Sequence, residues 1–178
     1  MQQEQTQLIK VGYAVPTFTL EGYQAGQFKK YSLEDYRGKW VILVFYPLDF
    51  TFVCPTEIKG FNNAVPEFDK IKTQLFGVSV DSVYSHKAWE KDMGIKLNFP
   101  LLSDIKKEVA TAYNVLIENE GVALRGTFII DPEGLLKYQV VSFNDAGRSV
   151  SETLRALQAL QSGKLCPFEW KPGQATLN

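Results

Sequence analysis

Cysteine and histidine are nearly missing from this chain, which has two cysteines and one histidine among 178 residues. Two cysteines cannot supply a structural disulfide framework for a chain of this size, so any disulfide is expected to be transient and catalytic. A zinc site would need an unusual ligand set, and neither metal nor cofactor is expected. An excess of charge of one sign is lacking too. The formal net charge is −1, which gives no electrostatic case for nucleic acid or an anionic membrane. No apolar run approaches the roughly 20 residues that cross a bilayer. The opening MQQEQTQLIK lacks the apolar stretch of a secretory signal, so the cytoplasm is the expected compartment. Internal repeats, linkers and low-complexity segments are also absent. What remains is 45% hydrophobic and 22% charged, the composition of one soluble globular domain over 1–178, with 164–178 as its tail.

Hydrophobic patterning orders that domain. Val11–Leu20 contains Pro16 and is predicted as an edge or hairpin strand, with a turn over 22–26 and a short strand at 28–31. Ser32, Asp35 and Gly38 frame a short helix. Trp40–Phe45 is almost wholly apolar and is predicted to be a fully buried strand. A helix follows Cys54, with Ile58, Phe61, Phe68 and Ile71 on one face and Pro66 expected to kink or split it near Val65. A strand over 75–80, a helix over 84–93 stopped by Gly94, and a strand over 99–102 come next. Ser103-Asp104 should cap a helix over 105–113, and Glu118–Gly121 is a polar loop. A strand over 126–130, the turn Asp131–Gly134 and a partner strand over 135–143 form a hairpin. Ser149 or Ser151 caps a last helix that Gly163 closes. The alternation implies an α/β fold with a central mixed sheet flanked by helices.

The boundary at Cys54 carries the chemistry. Pro55 suits the first position of a helix and biases Cys54 out of the α region, which places the thiol at or just inside the N-cap. Glu57 then falls where a carboxylate reaches back to a free backbone N–H. Unpaired N–H groups and the positive end of the helix dipole favour a thiolate, the nucleophilic form. Thr51, three residues earlier, has a hydroxyl able to donate to the sulfur or to a substrate oxygen. A cysteine in general is more often a small buried hydrophobe. Polar residues packed around this one at the end of a strand favour a reactive site.

The spacing Pro47-x-x-x-Thr51-x-x-Cys54 within PLDFTFVCPTE resembles the active-site motif of the peroxiredoxins, most closely the typical two-cysteine branch that includes the bacterial alkyl hydroperoxide reductase peroxidase subunit. The resemblance extends to the end of the chain. It implies a thioredoxin-like fold in its peroxiredoxin variant, with an N-terminal β-hairpin. It further implies a thiol-dependent peroxidase acting on hydrogen peroxide and organic hydroperoxides. Arg125, in GVALRGTFIID, matches the family's active-site arginine; by itself it would be taken for a structural ion pair, since a buried guanidinium needs an anion. Arg148, in NDAGRSVSETL, matches a second arginine that supports the first helical turn together with Glu57. Cys166, in LCPFEW, resembles the resolving cysteine. In the family that cysteine closes a disulfide with the peroxidatic sulfur, here Cys54, of the other subunit. A thioredoxin-like or flavoprotein disulfide reductase then reopens the bridge, and antiparallel homodimers assemble into decameric rings.

His86, the one histidine, has no partner nearby in sequence and is expected to be a surface or packing residue. Two departures from the peroxide-sensitive branch stand out. The segment DMGIKLNFPLL holds no GGLG insertion, and twelve residues follow Cys166. Easy local opening and resistance of Cys54 to over-oxidation are therefore expected. Two other functions fit less well. A thioredoxin-like disulfide oxidoreductase would want a second cysteine within the first helical turn, and a ring-forming holdase would make no use of the thiol.

Overall fold

The computed structural model describes residues 8–177. Strands β1 (Thr19–Gln24) and β2 (Gln27–Ser32) form the N-terminal hairpin, and a 3-10 turn, Leu33–Tyr36, leads into β3 (Trp40–Phe45). Helix α1 (Cys54–Lys70), β4 (Thr73–Ser79), α2 (Val83–Met93) and β5 (Leu101–Ser103) follow. Then come α3 (Glu108–Ala112), the two-residue strands β6 (Leu116–Ile117) and β7 (Val122–Ala123), β8 (Arg125–Ile130), β9 (Leu136–Ser142) and α4 (Val150–Gln161). Seven strands make one mixed sheet in the order β2-β1-β5-β4-β3-β8-β9. Strand β4 lies parallel to β3 and β5, and the other pairings are antiparallel.

The apolar run of β3 is buried on both faces because side chains alternate along a strand. Ile42 and Val44 meet Ile58, Phe61 and Phe68 of α1, Trp89 of α2 and Leu157 of α4. Val41, Leu43 and Phe45 point the other way, into a second cluster with Val15, Leu33, Val109 and Tyr113. Helices therefore cover both faces of the sheet, as the alternation of elements implied.

Several boundaries differ from the sequence reading. Residues 11–15 are not a strand of the sheet; they are tied to the β8–β9 turn through Gly12 N–H to Leu136 O and Val15 N–H to Gly134 O. The first strand instead runs through Gly22. A Cβ there would lie 2.7 Å from Leu102 Cδ2 and 2.8 Å from the Tyr31 ring, so a strand interior is where this glycine is needed. The turn itself is Ala25-Gly26, both at positive φ. The 3-10 turn after Ser32 has no side-chain cap. Helix α1 continues through Pro66, since the buried Phe61, Val65 and Phe68 hold both halves against the sheet. Helix α3 starts later than expected, yet Asp104 still caps it by accepting from Val109 N–H at 3.1 Å and Ala110 N–H at 2.7 Å. Ser149, not Ser151, caps α4 by accepting from Glu152 N–H at 3.1 Å. The tail folds back on itself, with Leu177 N–H donating to Leu165 O and Trp170 buried.

Candidate active site

Cys54 opens α1 after the loop that leaves the carboxyl end of β3, and the Thr56 and Glu57 N–H groups of that first turn donate to Val53 O at 3.0 and 3.3 Å. The thiol lies just inside the N-cap, one of the two placements that the sequence allowed. Val53, in a helical conformation and without a side-chain cap, occupies the N-cap, so Cys54 is already inside the helix. The bias from Pro55 against helical geometry at the preceding residue is overridden by burial, because Cys54 has no exposed surface.

Arg125, the first residue of β8, brings Nη1 to 3.4 Å from Cys54 Sγ. The same nitrogen donates to Glu57 Oε2 at 2.6 Å, and Nε donates to Asn144 O at 2.9 Å. Glu57 does not reach back to cap α1. Its carboxylate accepts instead from Arg125 and from Arg148, through the backbone N–H at 2.8 Å, Nε at 2.8 Å and Nη2 at 2.9 Å. Two guanidiniums outcompete a helix N–H for a buried carboxylate. Burial alone would raise the Glu57 carboxyl. The hydrogen bonds and charge of Arg148, its backbone N–H and the charge of Arg125 prevail, and they hold it below the ordinary carboxylate range. Arg148 is fixed in turn by donating to Gly126 O at 2.9 Å. One guanidinium thus touches the sulfur, and the Glu57 carboxylate and Arg148 stand behind it.

Thr51 and Pro47 belong to the loop between β3 and α1. Pro47 is buried directly after the strand. The Thr51 hydroxyl donates to Leu48 O at 3.1 Å, not to the sulfur as anticipated. Its proton is committed, so what it offers toward Cys54 is a lone pair, able to accept from the O–H of a hydroperoxide. Cys166 is not brought into this site. Its sulfur lies 3.4 Å from Ser162 Oγ and 3.8 Å from Ala159 O at the end of α4, and both cysteines are free thiols.

Of the two places expected for His86, surface or packing, the structure takes the second and adds a partner that the sequence did not show. It is fully buried, and its Nδ1 lies 2.8 Å from Asp49 Oδ2. The sequence reading missed Asp49, although it stands in the middle of the recognised motif. Thirty-seven residues separate the pair, and only the folded chain joins them. Among the described residues, no group of three or more His, Cys, Asp or Glu side chains is placed to hold a metal ion.

This geometry agrees with the comparisons. The AhpC/TSA family profile matches residues 11–139. YkuU of Bacillus subtilis (strain 168) is 51% identical over 175 residues, spanning 94% of this chain and 97% of that protein. The chloroplastic 2-Cys peroxiredoxin BAS1 of Hordeum vulgare is 49% identical over 177 residues, spanning 94% of this chain and 84% of that protein. The crystal structure of reduced Plasmodium vivax 2-Cys peroxiredoxin superposes with a TM-score of 0.89 at 39% identity, covering 93% of this chain and 91% of that one. The chain belongs to the AhpC/TSA family, the peroxiredoxins, and is a thiol-dependent peroxidase with the thioredoxin-like fold.

Proposed function

We propose that Cys54 is the peroxidatic sulfur and that Cys166 resolves it. The Cys54 thiolate attacks the terminal oxygen of R–O–O–H in line. The S–O bond forms as the O–O bond breaks, giving Cys54–SOH and RO⁻, which takes up a proton. Arg125 Nη1 and the positive end of the α1 dipole face the charge that develops on the oxygens, and Thr51 accepts from the substrate hydroxyl. Cys166–SH then condenses with Cys54–SOH, releasing water and forming a disulfide. A thioredoxin-like or flavoprotein dithiol reductase supplies the two electrons and two protons that restore both thiols. Hydrogen peroxide and organic hydroperoxides are the substrates, and the reducing cytoplasm is the compartment. One observation carries this reading: Arg125 Nη1 bridges Cys54 Sγ and the doubly paired Glu57 at the start of α1.

The disulfide joins two copies of the chain in this proposal. Strand β9 is one of the two edges of the sheet, and its Val140 and Val141, with Phe143 just after it, are exposed. An unpaired apolar edge is a template for another strand, which supports an antiparallel homodimer through β9 and decameric rings built from such dimers. Stopped-flow peroxide consumption tests the chemistry, with activity expected for the native chain and none for Cys54→Ser. Non-reducing gels test the pairing. Oxidised protein is expected as a covalent dimer that Cys166→Ser abolishes, and an oxidised monomer with an internal disulfide would refute the intersubunit bridge.

A further inference from the structure

Beside the sulfur's charge cluster lies a second buried polar cluster that thiol chemistry does not use. At its centre the side chains of Asp49 and His86 have no exposed surface. Asp49 Oδ1 accepts from the Tyr46 hydroxyl at 2.9 Å, and Oδ2 accepts from the Ser85 hydroxyl at 2.8 Å and faces His86 Nδ1 at 2.8 Å. The Asp49 backbone N–H donates to Asp81 Oδ2 at 2.9 Å, an oxygen that also accepts from the Ser79 hydroxyl at 2.7 Å. His86 Nε2 faces Leu102 O at 3.3 Å. Both ring nitrogens therefore face acceptors, and one histidine links α2, β5 and the loop that precedes Cys54.

Buried ion pairs are weak sources of stability, because desolvation offsets the attraction, but they fix geometry. The loop held here needs fixing. Phe50, next to Asp49, has φ +54°, in the left-handed region that a bulky side chain seldom adopts. Such a conformation persists where its surroundings over-determine it. Thr51 comes next, with its hydroxyl aimed by the carbonyl of Leu48 on the other side of Asp49. The clamp on Asp49, the turn at Phe50 and the direction of the Thr51 hydroxyl form one mechanical unit.

We infer that the Asp49–His86 pair is a positioning device for the hydroperoxide: it sets where the Thr51 hydroxyl stands relative to Cys54, while Arg125 is the cation that touches the sulfur. The inference rests on the reading of Cys54 as the attacking sulfur. Alkylation by iodoacetamide separates the two roles, since it needs a nucleophilic sulfur and no placement of two oxygens. In His86→Gln and in Asp49→Asn, the second-order rate with hydrogen peroxide should fall by about 10- to 100-fold, the scale of an ångström-sized misplacement. Alkylation of Cys54 should stay within about twofold. Thr51→Val should slow peroxide similarly, and adding His86→Gln to it should cost less than about a further twofold, because the histidine acts through the threonine. Equal losses of peroxide reaction and alkylation would overturn the inference, as would full additivity with Thr51→Val. Ser85→Ala removes one donor and keeps the pair, which guards against variants that fail to fold. It should slow peroxide alone by about threefold, and an unchanged rate would count against the proposal. If the native chain consumed no peroxide, the reading of Cys54 would fail. If it did and these variants matched it, only the present inference would.

Discussion

Replacing Arg125 with glutamine separates electrostatics from packing at the sulfur. The side chain is 3% exposed and meets a Glu57 side chain that is 2% exposed at 2.6 Å, so the change breaks a desolvated pair. Removing one partner of such a pair costs about 3–5 kcal/mol. The low end applies here, since Glu57 keeps three contacts with Arg148 at 2.8–2.9 Å. At roughly 2–4 °C per kcal/mol for a domain of this size, Tm should drop by about 6–12 °C and the fold should persist at 25 °C. The kinetic loss has a different origin. Arg125 Nη1 is the cationic donor at 3.4 Å from the sulfur, and removing one preorganised donor typically costs about 10²- to 10³-fold. Stopped-flow oxidation of Arg125→Gln by hydrogen peroxide should show a loss of that size, and alkylation of Cys54 should slow as well. Arg125→Lys should recover little, because one ammonium cannot serve Asn144 O, Glu57 and the sulfur in the geometry of a planar fork. An Arg125→Gln protein that keeps its peroxide rate within threefold of native would refute the electrostatic assignment.

Glu57→Gln should cost about 3 kcal/mol at pH 7 by leaving two buried guanidiniums without their anion. The folded Glu57 carboxyl is held below its ordinary value near 4.5, so its contribution is present above that value and lost as pH falls below it toward the folded value. Chemical-denaturation midpoints of native and Glu57→Gln protein should therefore draw together as pH falls below 4.5, and a constant gap would exclude the charged carboxylate as the cause. Gly22→Ala places a methyl 2.7 Å from Leu102 Cδ2; overpacking of about 1–3 kcal/mol should lower Tm by about 2–12 °C with the peroxide rate unchanged, and no shift would mean the strands part freely. Because the 92–102 segment holds no GGLG insertion, disulfide formation should outrun over-oxidation. Abundant Cys54 sulfinate by mass spectrometry at sub-millimolar peroxide during turnover would contradict this.

What the sequence disclosed follows the range of the interactions. Trp40–Phe45 was legible to the residue because an apolar run buried on both faces depends on nothing beyond itself. The cap at Ser149 and the stop at Gly94, which has φ +64°, are equally local. Gly22 was read as a turn because what forbids a side chain there, Leu102 and Tyr31, arrives from two other strands. Arg125 and Arg148 were found by resemblance, which also joined Arg148 to Glu57, but the hold of Arg125 on the same carboxylate was not, since that carboxylate appeared free to cap its own helix. The direction of the Thr51 proton depends on where the Leu48 carbonyl points, a property of loop shape. His86 illustrates the limit most clearly: an isolated histidine gives no sign of a partner 37 residues away.

The charge cluster also connects the chemical step to the opening that must follow it. With the sulfur as thiolate, Arg125, Arg148, Glu57 and Cys54 sum to zero inside a site where Arg125 is 2% exposed. Oxidation to a neutral sulfenic acid removes one negative charge and leaves a buried positive charge without a counterion. That penalty falls on the closed first turn of α1 and is relieved when the turn opens to water. The turn lacks one means of resisting that opening, as Val53 supplies no side-chain cap. Cys166 must likewise leave Ser162 and the carbonyl of Ala159 at the end of α4. Each sulfur thus sits at a helix end, where local unfolding costs least. In the proposed cycle, loss of charge at the first would bias the ensemble toward the state in which the second can reach it.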